Sequence, residues 1–210
     1  MIKLAYCNID DLDLKRAYGL VSKSRQEKMD FYRFDKDKKL SCGAYLLLKK
    51  LLCEKNIADP VFKTGKYGKA YICNYENIHF NLSHSGKIVL CAISDMEVGA
   101  DVEYVDPEID LDIAKNYFFN REYESIMKSD NPPEEFFNYW VLKESYMKYT
   151  GLGMNLDLDS FEIMIDDEIT LKNDDKHLKF TLFDIENYKI GIAGHFNVSG
   201  LIEYRVSEIY

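Results

Sequence analysis

The chain predicts an α+β fold of two similar halves, and three observations carry that expectation. Two long segments have helical character: Leu40, Ala44, Leu47, Leu48, Leu51 and Leu52 recur at helical spacing in a segment from Asp35, and another helix follows Pro132-Pro133. Short apolar runs bounded by polar turns fill much of the remainder. Patterns also recur. Lys87-Ile88-Val89-Leu90-Cys91-Ala92-Ile93 resembles Lys189-Ile190-Gly191-Ile192-Ala193-Gly194, and His79-Phe80 echoes His195-Phe196. The expected architecture is a pair of α/β subdomains related by pseudo-twofold symmetry, with antiparallel sheets and packed helices. One half covers residues 1–104 and the other 105–210.

The elements follow in order. Residues 2–7 alternate weakly and read as a strand, 22–33 as a helix, and the leucine-rich segment as a second helix. Gly65 to Lys69 is a turn, and strands are expected at 78–82, 88–94 and 98–103. Asn81-Leu82-Ser83-His84-Ser85-Gly86, small and polar, reads as a turn after the first of these. Asp106-Pro107 ends the first half. Helices are expected at 110–117 and at 120–128, the latter with Asn120 as candidate N-cap. The next has proline in its first turn and stops near Gly151. Runs at 161–165, 168–171, 179–185, 189–196 and 201–206 read as antiparallel strands joined by turns such as Asp166-Asp167 and Asn173-Asp174-Asp175.

The 210 residues are 47% hydrophobic and 14% aromatic, enough for a substantial core. No run of about 18 apolar residues occurs, so no membrane span is expected. The first residues turn polar too soon for a secretory signal. The five cysteines, odd in number and without C-x-x-C spacing, read as reduced thiols of a cytoplasmic protein. Net charge is −9 but uneven. Lys15 to Lys69 holds fifteen Lys/Arg against six Asp/Glu, or +9, leaving −18 for the rest. The basic third is expected to meet a small polyphosphate or an acidic protein, not nucleic acid, which the remainder would repel.

Two strings carry the chemistry. In an extended Gly99-Ala100-Asp101-Val102-Glu103, the two carboxylates share a face. In a helical Trp140 to Lys148, positions four apart stack, so Trp140, Glu144 and Lys148 form a stripe. Brought together, these strings offer three carboxylates with a lysine beside them, and carboxylates are hard oxygen ligands of the type that suits Mg2+. Each piece alone has a plainer reading. Asp101 and Glu103 fit a solvent face, Glu144 and Lys148 a surface ion pair, and His84 an ordinary turn residue. Gly65-Lys66-Tyr67-Gly68-Lys69 is not a P-loop.

Together the motifs resemble the 4′-phosphopantetheinyl transferases, in particular the larger, monomeric, surfactin-synthetase-activating type. The resemblance runs through Tyr67-Gly68-Lys69, Phe80 to Ser85, Gly99 to Glu103, Trp140 to Ser145 with Lys148, and Leu158-Asp159-Ser160-Phe161. It implies two related α+β halves with the active site between them. It implies transfer of the phosphopantetheine arm of coenzyme A to a serine of an apo acyl or peptidyl carrier protein, releasing adenosine 3′,5′-bisphosphate. Asp101, Glu103 and Glu144 would hold Mg2+, and Lys148 would sit by the attacked phosphate. Ser83, His84 and Lys69 would hold coenzyme A phosphates. Lys38 and Lys39 best match the family's 3′-phosphate ligands, with Arg25 and Lys28 as further options. Glu144 is the candidate base for the serine proton. Leu111, Ile113, Ala114, Tyr117 and Phe118 are either a carrier-docking surface or core. A Mg2+-dependent phosphohydrolase and a non-catalytic binding module are the rival readings.

Overall fold

The computed structural model describes residues 1–173, 177–195 and 198–210. Phe196, Asp174 and Asp175, named in the sequence patterns above, lie outside the described residues. The first half runs β1 (Ile2–Asn8), α1 (Leu14–Tyr18), α2 (Lys23–Asp30), α3 (Asp35–Glu54), β2 (Phe62–Thr64), β3 (Ala70–Ile72), β4 (His79–Ser85) and β5 (Ile88–Ser94). There follow β6 (Val98–Tyr104), α4 (Asp112–Tyr117), α5 (Asn120–Lys128), α6 (Pro132–Thr150), β7 (Ile163–Ile165), β8 (Ile169–Leu171), β9 (Lys179–Ile185) and β10 (Tyr188–Gly194). The chain closes with β11 (Val198–Tyr204) and α7 (Val206–Ile209).

The main sheets are ordered β11-β1-β5-β4 and β6-β10-β9, and β2-β3 and β7-β8 form small hairpins. All pairs are antiparallel except β1 with β11, against the expectation that the last strand would also pair antiparallel. β11 crosses back to the first sheet, where its apolar residues find a free edge beside β1. The boundary expected at 104 falls after β6, yet β6 is hydrogen-bonded to β10 of the second half.

The uninterrupted apolar run of β5 is explained by burial on both faces. Val89, Cys91 and Ile93 pack in the core beneath α3, while Ile88, Leu90 and Ala92 pack in the layer between the sheets. A strand covered on both sides loses the polar alternation that a half-solvated strand keeps. β6 splits instead. Val98, Ala100 and Val102 join the inter-sheet layer, and Gly99, Asp101 and Glu103 take the opposite parity, toward α6.

α6 lies unusually close to this face. A Cβ at Gly99 would overlap the Ser145 carbonyl and the Tyr149 amide, and one at Gly191 would overlap the Val141 carbonyl. Val141 and Ser145 are one turn apart, so the two glycines make one bed for the helix. Gly99→Ala is therefore expected to lower stability by about 3 kcal/mol, at the upper end of overpacking costs because backbone would have to move. Urea denaturation checks this; a loss under about 1 kcal/mol would mean that the helix is free to shift.

Asn120 is the first residue of α5 and not its cap. The N-terminus is closed by Glu122, whose Oε2 accepts the Phe119 amide at 2.9 Å. Pro132 opens α6, and Gly151 closes it in the left-handed conformation at φ 71°. Among the described residues no helix is long and apolar enough to cross a membrane.

Candidate functional site

β4 and β6 are edge strands of different sheets, and side chains stitch them together. Asn81 Oδ1 accepts the Ala100 amide at 3.1 Å. Ser83 Oγ donates to Asp101 Oδ1 at 2.7 Å, and Ser85 Oγ donates to Glu103 Oε2 at 2.7 Å while accepting the Tyr104 amide at 3.1 Å. The two serine–carboxylate rungs lie two residues apart on each strand, as strand alternation requires. Small polar residues here look like a turn in the sequence, but Asn81 to Ser85 are strand, and the reversal comes at Gly86. Their polarity serves the seam, not a loop.

α6 closes over this seam. Lys148 Nζ donates to Asp101 Oδ1 at 2.6 Å and to Ser83 Oγ at 2.9 Å. Asp101 is 2% exposed. Its Oδ2 is buried without a hydrogen-bond partner among the described residues. A buried carboxylate oxygen left unpaired is costly. Burial, and then the Asp101 charge, push Glu103 up to about 7; the Ser85 hydroxyl and Lys148 partly oppose this. Glu144 is likewise raised by burial and by Asp101. As the side chains stand, no group of three or more His, Cys, Asp or Glu among the described residues is gathered closely enough to hold a metal ion.

These shifts set a pH dependence in metal-free protein. Glu103 and Glu144 bind protons more tightly folded than unfolded. The Glu103 contribution is therefore fully present below the ordinary carboxylate range of roughly 4–5 and is lost as pH rises through about 7, and Glu144 acts in the same direction. Melting in the presence of a chelator should show higher stability at pH 5.5 than at 7.5, with a flatter slope in Glu103→Gln. An unaltered slope in that variant would assign the dependence elsewhere.

Beside the seam is a cavity of about 270 Å³. Arg25, Lys28 and Tyr32 form one wall, Ser41 and Ala44 of α3 another, and His84 and Lys148 the end nearest the carboxylates. Arg25 Nη1 donates to Ser41 Oγ at 3.3 Å, and its guanidinium lies 5.1 Å from the Tyr45 ring centre. Crowding at the wall lowers His84 below the usual imidazole range, first by desolvation and then through the Lys148 and Lys28 charges, so the ring is neutral at pH 7. Larger hollows of about 540 Å³ beside Tyr45 and Phe62, about 530 Å³ beside Tyr146 and Tyr149, and about 420 Å³ beside Tyr71 and His79 do not join several cations to the acidic seam.

The sequence-predicted residues divide accordingly. Ser83, His84, Lys148, Asp101 and Glu103 meet at the seam and cavity, with Glu144 electrostatically coupled to Asp101. Lys69 reaches the cavity wall, but its ammonium bonds Glu97 and backbone carbonyls. Lys38 pairs with Asp35, and Lys39 donates to the Asp10 carbonyl; neither lines the cavity. Arg25 and Lys28 do, three apart on α2 and so on one face. That spacing was readable in the sequence; Ser41 and Tyr32 carried no signal. Of the apolar segment before α5, Ala114 and Phe118 are core, Leu111 and Ile113 pack against it, and Tyr117 is 59% exposed.

Residues 97–193 match the model of the 4′-phosphopantetheinyl transferase superfamily, a span that includes β6 and α6. The chain is 31% identical to the 4′-phosphopantetheinyl transferase Sfp of Bacillus subtilis (strain 168), over 78% of this chain and 75% of that one. It is 30% identical to another 4′-phosphopantetheinyl transferase of Bacillus subtilis, over 92% and 91%. It is 39% identical to the 4′-phosphopantetheinyl transferase gsp of Aneurinibacillus migulanus, over 68% and 61%. With a relative matched over most of both chains at this identity, and Asp101, Glu103 and Glu144 within the matched span, the chain belongs to the 4′-phosphopantetheinyl transferase family.

Proposed function

We propose that this protein transfers the 4′-phosphopantetheine group of coenzyme A to a serine of an apo acyl or peptidyl carrier protein, with Mg2+, releasing adenosine 3′,5′-bisphosphate. The observation that carries this reading is the continuity of a cation-lined cavity with a buried carboxylate seam through one residue, Lys148. A ligand with phosphates at two places needs such a row of cations. Arg25 and Lys28, with the Ser41 hydroxyl, would take the terminal phosphate. The neutral His84 ring and Lys148 would donate to the diphosphate.

The chemistry of the donors suits Mg2+, provided that the three carboxylates draw together around the ion: they are hard oxygen ligands, and Asp101 Oδ2 is buried with no hydrogen-bond partner among the described residues. Asp101, Glu103 and Glu144 would hold the ion, which when bound supplies charge neutralisation on the diphosphate oxygens. Glu144, made more basic by burial and by Asp101, would accept the serine proton directly or through water. Lys148 would keep a positive charge beside the oxygens that gain negative charge.

We also read the two halves as related by a pseudo-twofold axis, on the recurrence of strand, long helix, short hairpin and long hairpin in each. Both halves of one chain supply the site, in keeping with a monomer.

Intact-mass measurement of apo carriers after incubation with coenzyme A and Mg2+ tests the reading. Gain of one phosphopantetheine on a carrier is expected; no gain across fatty-acid, polyketide and peptide-synthetase carriers would refute it. The double variant Arg25→Ala/Lys28→Ala should raise the KM for coenzyme A at least about tenfold, since charge-assisted bonds are worth roughly 1.5–3 kcal/mol each. An unchanged KM would move the terminal phosphate toward Lys38 and Lys39.

A further inference from the structure

From the contacts of its ammonium we infer that Lys69 is a positioning residue for the catalytic elements and not a phosphate ligand, an inference that rests on the transferase reading above. Lys69 Nζ donates to Glu97 Oε2 at 2.6 Å, to the Tyr149 carbonyl at 3.0 Å and to the Val98 carbonyl at 3.3 Å. An ammonium carries three N–H donors and no more. All are committed, on acceptors that a phosphate would have to displace.

The three acceptors are informative in themselves. Tyr149 is one residue beyond Lys148, in the last turn of α6. Val98 opens β6, the strand of Asp101 and Glu103, and Glu97 immediately precedes it. One side chain, from the hairpin turn between β2 and β3, therefore staples together the end of the helix and the start of the strand whose approach builds the acidic seam. The terminal carbonyls of a helix lack intrahelical partners and carry its negative end, so a cation there satisfies an orphan acceptor and a dipole together. The Lys69 stem lies against Gly151, where an added Cβ would come within 3.2 Å of Cδ. Glu97 is itself held from the other side, its Oε1 3.1 Å from His79 Nδ1. The anchor is thus a built cluster with a fixed direction, not a lysine that happens to rest on a surface acid.

The consequence is a division of labour among the cations at the cavity wall. Arg25, Lys28 and Lys148 face the ligand, and Lys69 holds the frame in which Lys148 and Asp101 meet.

Steady-state kinetics of Lys69→Met and Glu97→Gln separate the two roles, because the roles predict opposite signs for Glu97→Gln. If Lys69 positions, both variants lower kcat, by about tenfold for Lys69→Met and several-fold for Glu97→Gln, with the KM for coenzyme A within twofold of wild type. If Lys69 is a phosphate ligand restrained by Glu97, Glu97→Gln frees it and lowers that KM, while Lys69→Met raises it. Either of those two KM changes would overturn the proposal. Amide hydrogen exchange at residues 149–153 gives a readout independent of turnover. Faster exchange in both variants supports the staple, and wild-type protection in both overturns it. Should the wild-type protein modify no carrier, the transferase reading fails, and the exchange result still decides whether Lys69 holds α6 to β6.

Discussion

Asp101→Ala is expected to lower kcat/KM for carrier modification by about three orders of magnitude, equivalent to roughly 4 kcal/mol of transition-state stabilisation. Asp101 ties β4 and β6 to α6. Its Oδ1 receives both the Ser83 hydroxyl and the Lys148 ammonium, and its Oδ2 is buried without a hydrogen-bond partner among the described residues. Beyond burial, the Asp101 charge raises both Glu103 and Glu144, so its removal resets the basicity of two neighbours as well as deleting a proposed metal ligand. Asp101→Asn separates these effects, keeping shape and one acceptor while losing the charge. It should be nearly as inactive as alanine, and in chelator its Glu103 should titrate closer to the ordinary carboxylate range. Binding of Mg2+ in the presence of coenzyme A, followed by calorimetry, should be lost in both variants. Rates within tenfold of wild type, or metal binding as tight as wild type, would remove Asp101 from the proposed ligand set.

How far the site could be read from the sequence depended on whether its geometry is local. Asp101 and Glu103 are two apart on a strand, and Glu144 and Lys148 four apart on a helix, so period alone puts each pair on a face. That these faces meet is a tertiary fact. It is set by Gly99 and Gly191, which permit α6 to come down on β6 and β10, and no periodicity announces a missing Cβ as a contact. The same limit explains the polar string before Gly86. Ser83 and Ser85 look like turn residues until β6 supplies carboxylates in register. The residues proposed to bind anions were ambiguous for a different reason. The basic third contains many cations, and charge counting cannot say which face a lysine points from. Lys38 and Lys39 sit on α3 and bond Asp35 and the Asp10 carbonyl, whereas Arg25 and Lys28 line the cavity together with His84. The longer β-strands were legible from their apolar runs, but the short, largely exposed β2 and β3 around the Gly65 to Lys69 turn were not, and nor was the parallel return of β11 to β1, since strand direction leaves no trace in local pattern.

Lys143→Met is expected to destabilise the protein by about 3–5 kcal/mol, a large part of the stability of an ordinary domain. Lys143 precedes Glu144 in the Trp140-to-Ser145 motif, but its side chain serves the core. It is fully buried, 2.8 Å from an equally buried Glu122, with further bonds to the Leu158 and Phe161 carbonyls at 2.8 Å. The Phe118, Phe119 and Phe161 rings surround it. Burial lowers Lys143 and raises Glu122, while each partner's charge opposes the other's shift. Removing the lysine strands a carboxylate in that apolar setting, and Glu122 escapes only by taking up a proton. The instability of Lys143→Met should therefore deepen as pH rises from 5 to 8. In Glu122→Gln/Lys143→Met no buried charge is left uncompensated, and part of the loss should return, leaving the double variant more stable than Lys143→Met. Urea denaturation across pH measures all three. A double variant no more stable than Lys143→Met would show that the cost lies in the severed Leu158 and Phe161 carbonyls and not in the stranded charge. If the buried pair serves the frame and not the chemistry, the folded fraction of the double variant should transfer phosphopantetheine at a rate within about tenfold of wild type, because Glu144 and Lys148 stay on the same helix.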